Sequence, residues 1–315
     1  MKPFVLSLAV LLLCAAPAFG QLPPADKVAE YLQNISVTLK SNSAQGSGTL
    51  VIVPIEGKPT TFCWTAAHVI DGQRKVKEVI APDGTTKKVV TFDDPQIVQE
   101  LIEDGRRVGE LKMDARVVVY SEKEDLALLR VRKRGFATAS AVFYLDAALP
   151  TVGTPIFHCG SPGGQEIGAA SVTRGIISQV GRTFSDYSAG AAVDQGDCAA
   201  MPGSSGGMIC LADGRYIGML TLGIRGGDSF HYYVPIRRIR EWAAKMKVGW
   251  ALGEGAPPTE AELDKVPIED TGSLLQQLKD AVGPKGLKYM VRPLSPGVDW
   301  RTPAPMPSPP DLLGG

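Results

Sequence analysis

The sequence predicts an all-β protein of the barrel or sandwich kind, and three observations carry that prediction. From Ile35 to about Val234, short runs rich in β-branched and apolar residues alternate with Gly, Pro and Asp turns. The runs follow one another too closely for a helical crossover between each pair, which disfavours βαβ units. Apolar residues make up 44% and charged residues 21% of the 315-residue chain, enough to bury one sizeable core or two small ones.

The elements follow in order. Lys2 precedes the apolar run "FVLSLAVLLLCAA", and "PAFG" follows before Gln21. A positive start, a short apolar segment and small residues at Ala18 and Gly20 predict a signal peptide over 1–20, cleaved after Gly20. The run is too short for a membrane span, so the mature chain is expected to be secreted or periplasmic without one. The stretches "NISVTLK", "GTLVIVP", "ARVVVY", "LALLRV", "TPIFHC", "SVTRGIISQV", "GMICL" and "YIGMLTLG" read as strands. "DDPQIVQELIEDGR", from Asp93 to Arg106, breaks the rhythm: Pro95 near its start and Ile97, Leu101 and Ile102 predict a short helix ending at Gly105. "PIRRIREWAAKMKVG" predicts a second helix with Ile236, Ile239, Trp242, Ala243 and Met246 on one face. Beyond Gly253 the chain turns Pro-rich, with 11 of its 24 prolines from Pro257 onward. This 251–315 tail is expected to be largely disordered, apart from an amphipathic helix in "GSLLQQLKDAVG".

Charge and cysteine content narrow the function classes. Lys plus Arg equals Asp plus Glu at 33 each, which gives no global reason to expect nucleic acid as a partner. Cys63, Cys159, Cys198 and Cys210 remain after the leader. An exported chain could pair them as two disulfides in any of three ways or bury them as free thiols, and both readings stay open. The three histidines, His68, His158 and His231, are widely separated and no Cys-x-x-Cys occurs, so no metal site is expected.

The stretch "DCAAMPGSSGGMIC" holds two adjacent serines between glycines. A serine hydroxyl is a weak nucleophile until a base takes its proton. "CWTAAHVID" offers His68 after a strand-like run, flanked by the small Ala66 and Ala67, although on that stretch alone a structural histidine is the commoner reading. "SEKEDLALLRV" puts Asp125 at the head of an apolar run, where a carboxylate needs a partner. Gly203 to Gly207 formally matches G-x-S-x-G, the α/β-hydrolase elbow, but that elbow needs a strand before it and a helix after it. Here Pro202 precedes it and a strand-like run follows. The order His68, Asp125, Ser205 is instead the chymotrypsin order.

"GSGTLVI", "TAAHVI", "DLALLRV", "CGSPGG", "SVTRGIISQVGR", "DCAAMPGSSGG" and "YYVPI", taken in that order, resemble the trypsin-like serine proteases, and within them the bacterial HtrA (high-temperature-requirement) branch. The resemblance covers roughly Gly46 to Trp242. It implies two six-stranded antiparallel β-barrels of chymotrypsin type within a protease domain over 21–250, the first over about 34–135 and the second over about 140–250, with the active site in the cleft between them. It further implies His68 as general base, Asp125 as its orienting acid, Ser205 as nucleophile, and the backbone N–H groups of Gly203 and Ser205 as the oxyanion hole. Protein or peptide substrates, and no cofactor or metal, come with that chemistry. The alternative of a catalytically silent, partner-binding module of the same fold is disfavoured by the intact set of residues.

The chain departs from the HtrA pattern in places. The interval from His68 to Asp125 is long, and the helix expected near Gln96 is read as surface elaboration there. No PDZ domain is recognisable in the roughly 60 residues that follow the protease domain. Ser204 stands where the family often has Asn or Asp. The position six before the nucleophile, which sets the pocket base in trypsin-like proteases, is Ala199, while Asp197 falls two residues too early. Together with Leu222, Gly223, His231 and Tyr233 this implies a pocket for a small or medium uncharged side chain, with His231 as the residue that would instead favour an acidic one.

Overall fold

The computed structural model describes residues 20–42, 44–80, 84–184, 191–223 and 230–266. The leader, most of the Pro-rich tail and the helix expected in "GSLLQQLKDAVG" lie outside the described residues.

The expected pair of six-stranded antiparallel barrels is present. The first closes in the order β1 (Ser36–Lys40), β2 (Gln45–Ile55), β3 (Lys58–Thr65), β8 (Leu126–Val131), β7 (Arg106–Ser121) and β6 (Gln96–Glu103). Between β3 and β6 a separate two-stranded sheet, β4 (Arg74–Ile80) and β5 (Thr86–Phe92), stands off the barrel. The second barrel closes as β10 (Ser171–Arg182), β11 (Val193–Gly196), β14 (His231–Pro235), β13 (Tyr216–Gly223), β12 (Met208–Leu211) and β9 (Pro155–Gly160).

The helix expected over Asp93–Arg106 is not formed. Gln96–Glu103 is strand β6, paired with β1 on one side and β7 on the other. Asp104 and Gly105 both have positive φ, 50° and 72°, the conformation of a two-residue hairpin turn. Ile97 and Leu101 sit at helical spacing, but without β6 the first barrel would have two open edges, and pairing satisfies both. The long His68–Asp125 interval is therefore two barrel strands, β6 and β7, plus the β4–β5 ribbon.

A helix precedes the first barrel: α1 (Val28–Ile35) buries Val28, Tyr31, Leu32 and Ile35, a one-face spacing. The Tyr31 hydroxyl donates to the Ser140 carbonyl at 2.9 Å and accepts the Val142 N–H at 3.0 Å, tying this helix to the segment between the barrels. Two one-turn helices, α2 (Ala67–Ile70) and α3 (Gln165–Gly168), follow β3 and β9. The C-terminal helix α4 (Ile236–Lys245) has its expected face inward, with Ile236, Ile239, Trp242, Ala243 and Met246 all buried.

The packed chain continues past residue 250. Trp250, Ala251, Leu252 and, in the short helix α5 (Glu260–Leu263), Leu263 are buried in the core of the first barrel. Trp250 meets Phe62 edge-on at 4.9 Å, and Trp242 meets Trp64 at 6.1 Å. Arg130 holds Glu260 through a two-pronged ion pair. The expected tail thus begins later than 251, because these aromatic and aliphatic side chains complete the barrel. The four cysteines among the described residues are buried free thiols, which settles the open alternative in favour of no disulfide between them.

Candidate active site

His68 lies in α2, directly after β3, with Ala66 and Ala67 fully buried beside it. Asp125 closes the tight turn between β7 and β8, its N–H donating to the Glu122 carbonyl at 3.2 Å. Its φ is +55°, a left-handed conformation that Asp tolerates better than bulkier residues. Arg238 of α4 clamps this turn, donating to the Glu124 carboxylate at 3.0 Å and to the Glu124 carbonyl at 3.2 Å.

These two elements bring His68 and Asp125 together. The His68 Nδ1 lies 3.0 Å from both carboxylate oxygens, so Nδ1 carries the proton and donates. The His68 backbone N–H donates to Oδ1 at 3.0 Å, and the Thr221 hydroxyl donates to Oδ2. Burial opposes ionisation of Asp125, but the neighbouring imidazole and these hydrogen bonds outweigh it and hold the carboxyl below its ordinary value. The His68 Nε2, on the far side of the ring, is buried and has no hydrogen-bond partner among the described residues.

The serine loop comes from the second barrel and is anchored on the first. Met201, Pro202, Gly203 and Ser204 form a β-turn in which the Ser204 N–H donates to the Met201 carbonyl at 2.9 Å and Gly203 has φ +98°. Pro and Gly at those two positions are what a type II turn calls for. The Pro202 carbonyl accepts the Gly163 N–H at 2.8 Å, and a trans peptide then turns the Gly203 N–H to the opposite side. Ser47 of β2 reaches across the barrels. Its hydroxyl donates to the Gly203 carbonyl at 2.7 Å and accepts the Ser161 N–H at 2.8 Å, while its N–H donates to the Ser205 carbonyl at 2.7 Å. Gly206 must be glycine: its φ is +84°, and a Cβ there would lie 2.1 Å from the Ser47 carbonyl.

The two serines differ. The Ser204 hydroxyl accepts the Met201 N–H at 3.3 Å, inside its own turn. Ser205 follows that turn and is pinned through its carbonyl to the barrel that carries His68. Ser47 and Thr221, which hold the loop and the carboxylate, were not singled out by sequence. Thr221 carries a weak signal, a lone hydroxyl in the apolar run "YIGMLTLG".

The expected pocket residues are spread over two strands and a loop. Ala199 is exposed, and its carbonyl accepts the Thr173 hydroxyl at 2.9 Å. Leu222 and Tyr232 pair across β13 and β14, as do Gly223 and His231. Tyr233 lies in the core of the second barrel with Ile156, Ile177, Cys198 and Leu220. Asp197 accepts the Ile176 N–H at 2.6 Å, a contact within the sheet. Among the described residues, no group of three or more His, Cys, Asp or Glu is arranged to hold a metal ion, and no helix is long and apolar enough to cross a membrane.

Two antiparallel barrels with a histidine and a buried aspartate on the first and a glycine-framed serine loop on the second define the trypsin-like architecture. Residues 46–219, more than half of the chain, match the family described as the trypsin-like peptidase domain, and the chain belongs to that family. Its similarity within the family runs to HtrA-type proteases. The chain is 30% identical to the serine protease Do-like HtrA of Bacillus subtilis (strain 168) over 212 residues, 65% of this chain and 40% of that protein. It is 27% identical to the magnetosome formation protease MamE of Magnetospirillum gryphiswaldense over 214 residues, 67% of this chain and 23% of that protein. Aligned regions thus span well under half the length of these curated relatives. Among solved structures, the HtrA-type protease AlgW with tripeptide superposes with a TM-score of 0.52 at 20% identity, covering 72% of this chain and 64% of that one. Deg5 gives 0.50 at 19% identity, covering 72% and 94%. These structural likenesses speak for the fold.

Proposed function

We propose that the protein is an exported serine endopeptidase that cleaves peptide bonds through an acyl-enzyme on Ser205. The observation that carries this reading is the buried Asp125 carboxylate bridging both oxygens to the His68 Nδ1 while the opposite ring nitrogen stays uncommitted. A base needs that arrangement: one nitrogen fixed as donor, the other holding a lone pair for the serine proton. His68 takes the Ser205 proton as Oγ attacks the carbonyl, and Asp125 stabilises the imidazolium. The N–H groups of Gly203 and Ser205 receive the developing oxyanion, each donor contributing about 3 kcal/mol in the transition state. His68 then returns its proton to the leaving amine, and water hydrolyses the acyl-enzyme. Thr221 and the His68 backbone N–H hold the carboxylate in place and so act as positioning groups.

Export and peptide substrates are part of the same reading. Support comes from the Lys2–Gly20 segment and from relatives that include the periplasmic serine endoprotease DegP of Salmonella typhimurium, 28% identical over 157 residues.

The test is covalent labelling with a fluorophosphonate, followed by mass-spectrometric location of the adduct. Label on Ser205, absent in Ser205→Ala, is expected, with peptide turnover falling by about 10⁶ in that variant. Label on Ser204, or none on the folded protein, would overturn the assignment.

A further inference from the structure

The β4–β5 ribbon takes no part in either barrel or in the hydrolytic step, yet it carries a charge and surface pattern of its own. β4 and β5 pair with each other as a separate sheet. A two-stranded ribbon with no third strand or helix packed on it is marginal in water. Seven residues per strand make this one about 23 Å long. It is rooted at one end, where Arg74 stands opposite Phe92 and the Phe92 ring meets the Tyr120 ring of β7 at 4.8 Å. Val76 and Val90 follow on that face, with Val90 half-buried.

The register separates the two faces, because opposed residues share a face and successive residues alternate. Lys75 and Thr91, Lys77 and Val89, and Val79, which the register sets opposite Lys87, belong to the face turned away from Phe92. Lys75, Lys77, Val79, Val89 and Thr91 are all exposed. No carboxylate belongs to this outer face: Glu78, the one acid within the two strands, falls on the other, opposite Lys88. Lys75 also meets Asp93 at 2.6 Å near the root, a solvent-exposed pair that salt screens. Ile80 ends β4 and is 80% exposed, more than any other large apolar side chain among the described residues. Over 74–92 the basic residues Arg74, Lys75, Lys77, Lys87 and Lys88 stand against Glu78 and Asp83, in a chain whose charges balance at 33 each.

We infer that the outer face and far end of this ribbon form a docking surface for an anionic phospholipid bilayer. Its lysines meet headgroup phosphates, while Val79, Val89 and Ile80 enter the interfacial layer between them. Aliphatic side chains interleaved with lysines suit that boundary, which is anionic at its surface and apolar just beneath. A nucleic-acid backbone offers phosphates but no apolar layer, and proteins that bind single strands set aromatic side chains among their cations. A second copy of the ribbon would bring lysine against lysine. The contact is peripheral and needs no spanning segment.

The test is co-sedimentation of the chain from Gln21 to Gly315 with phosphatidylcholine vesicles that do or do not contain phosphatidylglycerol. Omitting the leader keeps its apolar run from binding lipid. Binding to the anionic vesicles alone is expected, and it weakens as salt rises. Lys77→Gln is expected to lower the partition coefficient about fivefold, the effect of one cation near such a surface. Ile80→Ser is expected to lower it about tenfold, as a half-inserted aliphatic side chain is lost. Both positions lie off the barrels, so the urea midpoint is expected to stay unchanged in each variant. No binding to anionic vesicles, or equal binding by the unaltered chain and both variants, would overturn the inference. Binding to a DNA duplex as strong as to anionic vesicles, and unaffected by Ile80→Ser, would overturn it in favour of a general polyanion site. A smaller oligomer in Ile80→Ser without vesicle binding would overturn it in favour of contact between copies. None of these outcomes bears on Ser205: Ser205→Ala is expected to bind vesicles as the unaltered chain does, and the endopeptidase reading stands or falls by its own labelling.

Discussion

The first barrel is filled with large apolar side chains and covered by a second layer, whereas the second barrel has a small apolar core that it shares with imidazoles and glycines. Phe62 and Trp64 of the first barrel are backed by Trp242 and Trp250 from the C-terminal segment. In the second, the separate interior cluster is Ile156, Ile177, Cys198, Ile209, Ile217, Leu220 and Tyr233, with His158 and His231 buried in the same barrel, while Cys159, Met208, Cys210, Tyr216, Met219 and Val234 pack into the large cluster shared with the first barrel. On the proposed function the difference follows the work each half would do. His68 and Asp125 must keep a fixed separation, and a tightly packed, cross-braced barrel supplies that rigidity. The half that carries the serine loop, and on the proposed function would face the substrate, gives up apolar packing for backbone turns and polar groups.

Variants can break or sharpen this contrast. The largest effect is expected at the histidine–aspartate pair: Asp125→Asn keeps the shape but allows the wrong tautomer of His68, and kcat is expected to fall about 10⁴-fold. Steady-state assays on a cleaved peptide read this directly, and a loss under tenfold would remove Asp125 from the mechanism.

Next comes the cover of the first barrel. Trp250→Ala removes a buried indole that packs on Phe62, and a loss of about 3–5 kcal/mol in unfolding free energy is expected from urea titration. An unchanged midpoint would mean that the segment after residue 248 is ornamental, and the contrast between the barrels would lose its main support.

The smallest effect distinguishes the second barrel by its pH response. His158 sits at about 4 in the folded protein against an ordinary value of 6.5. Below 6.5 the unfolded chain takes up a proton that the native state refuses, so stability falls as pH drops and the loss is complete below about 4. In full it amounts to about 3 kcal/mol. Unfolding free energies at pH 7.5 and 4.5 are expected to converge in His158→Gln relative to the unaltered chain. An identical slope in both would place the titration elsewhere.

Much of the site was legible in the chain itself. Asp125 could be picked out because a carboxylate opening an apolar run demands a partner, and "MPGSSGG" because Pro followed by Gly sets a turn that no strand or helix would accommodate. The helix expected at Asp93–Arg106 failed because Ile97 and Leu101 satisfy helical spacing as readily as they satisfy a strand, and barrel closure decided between them. Ser47 sits among small residues with nothing local to mark it, yet it holds Gly203, Ser161 and Ser205 across the interface between barrels.

What the sequence by itself determined are the properties written in neighbouring residues: strand periodicity, the turns, the order His68, Asp125, Ser205, and the difference between Ser204 and Ser205 implied by the paired glycines. The tertiary structure alone decided which distant groups meet. Thr221 on Asp125, Ser47 under the serine loop and Trp250 on Phe62 are each joined across many strands. Their partners are chosen by sheet register and barrel closure, which depend on every strand at once and leave no trace in any single stretch of chain.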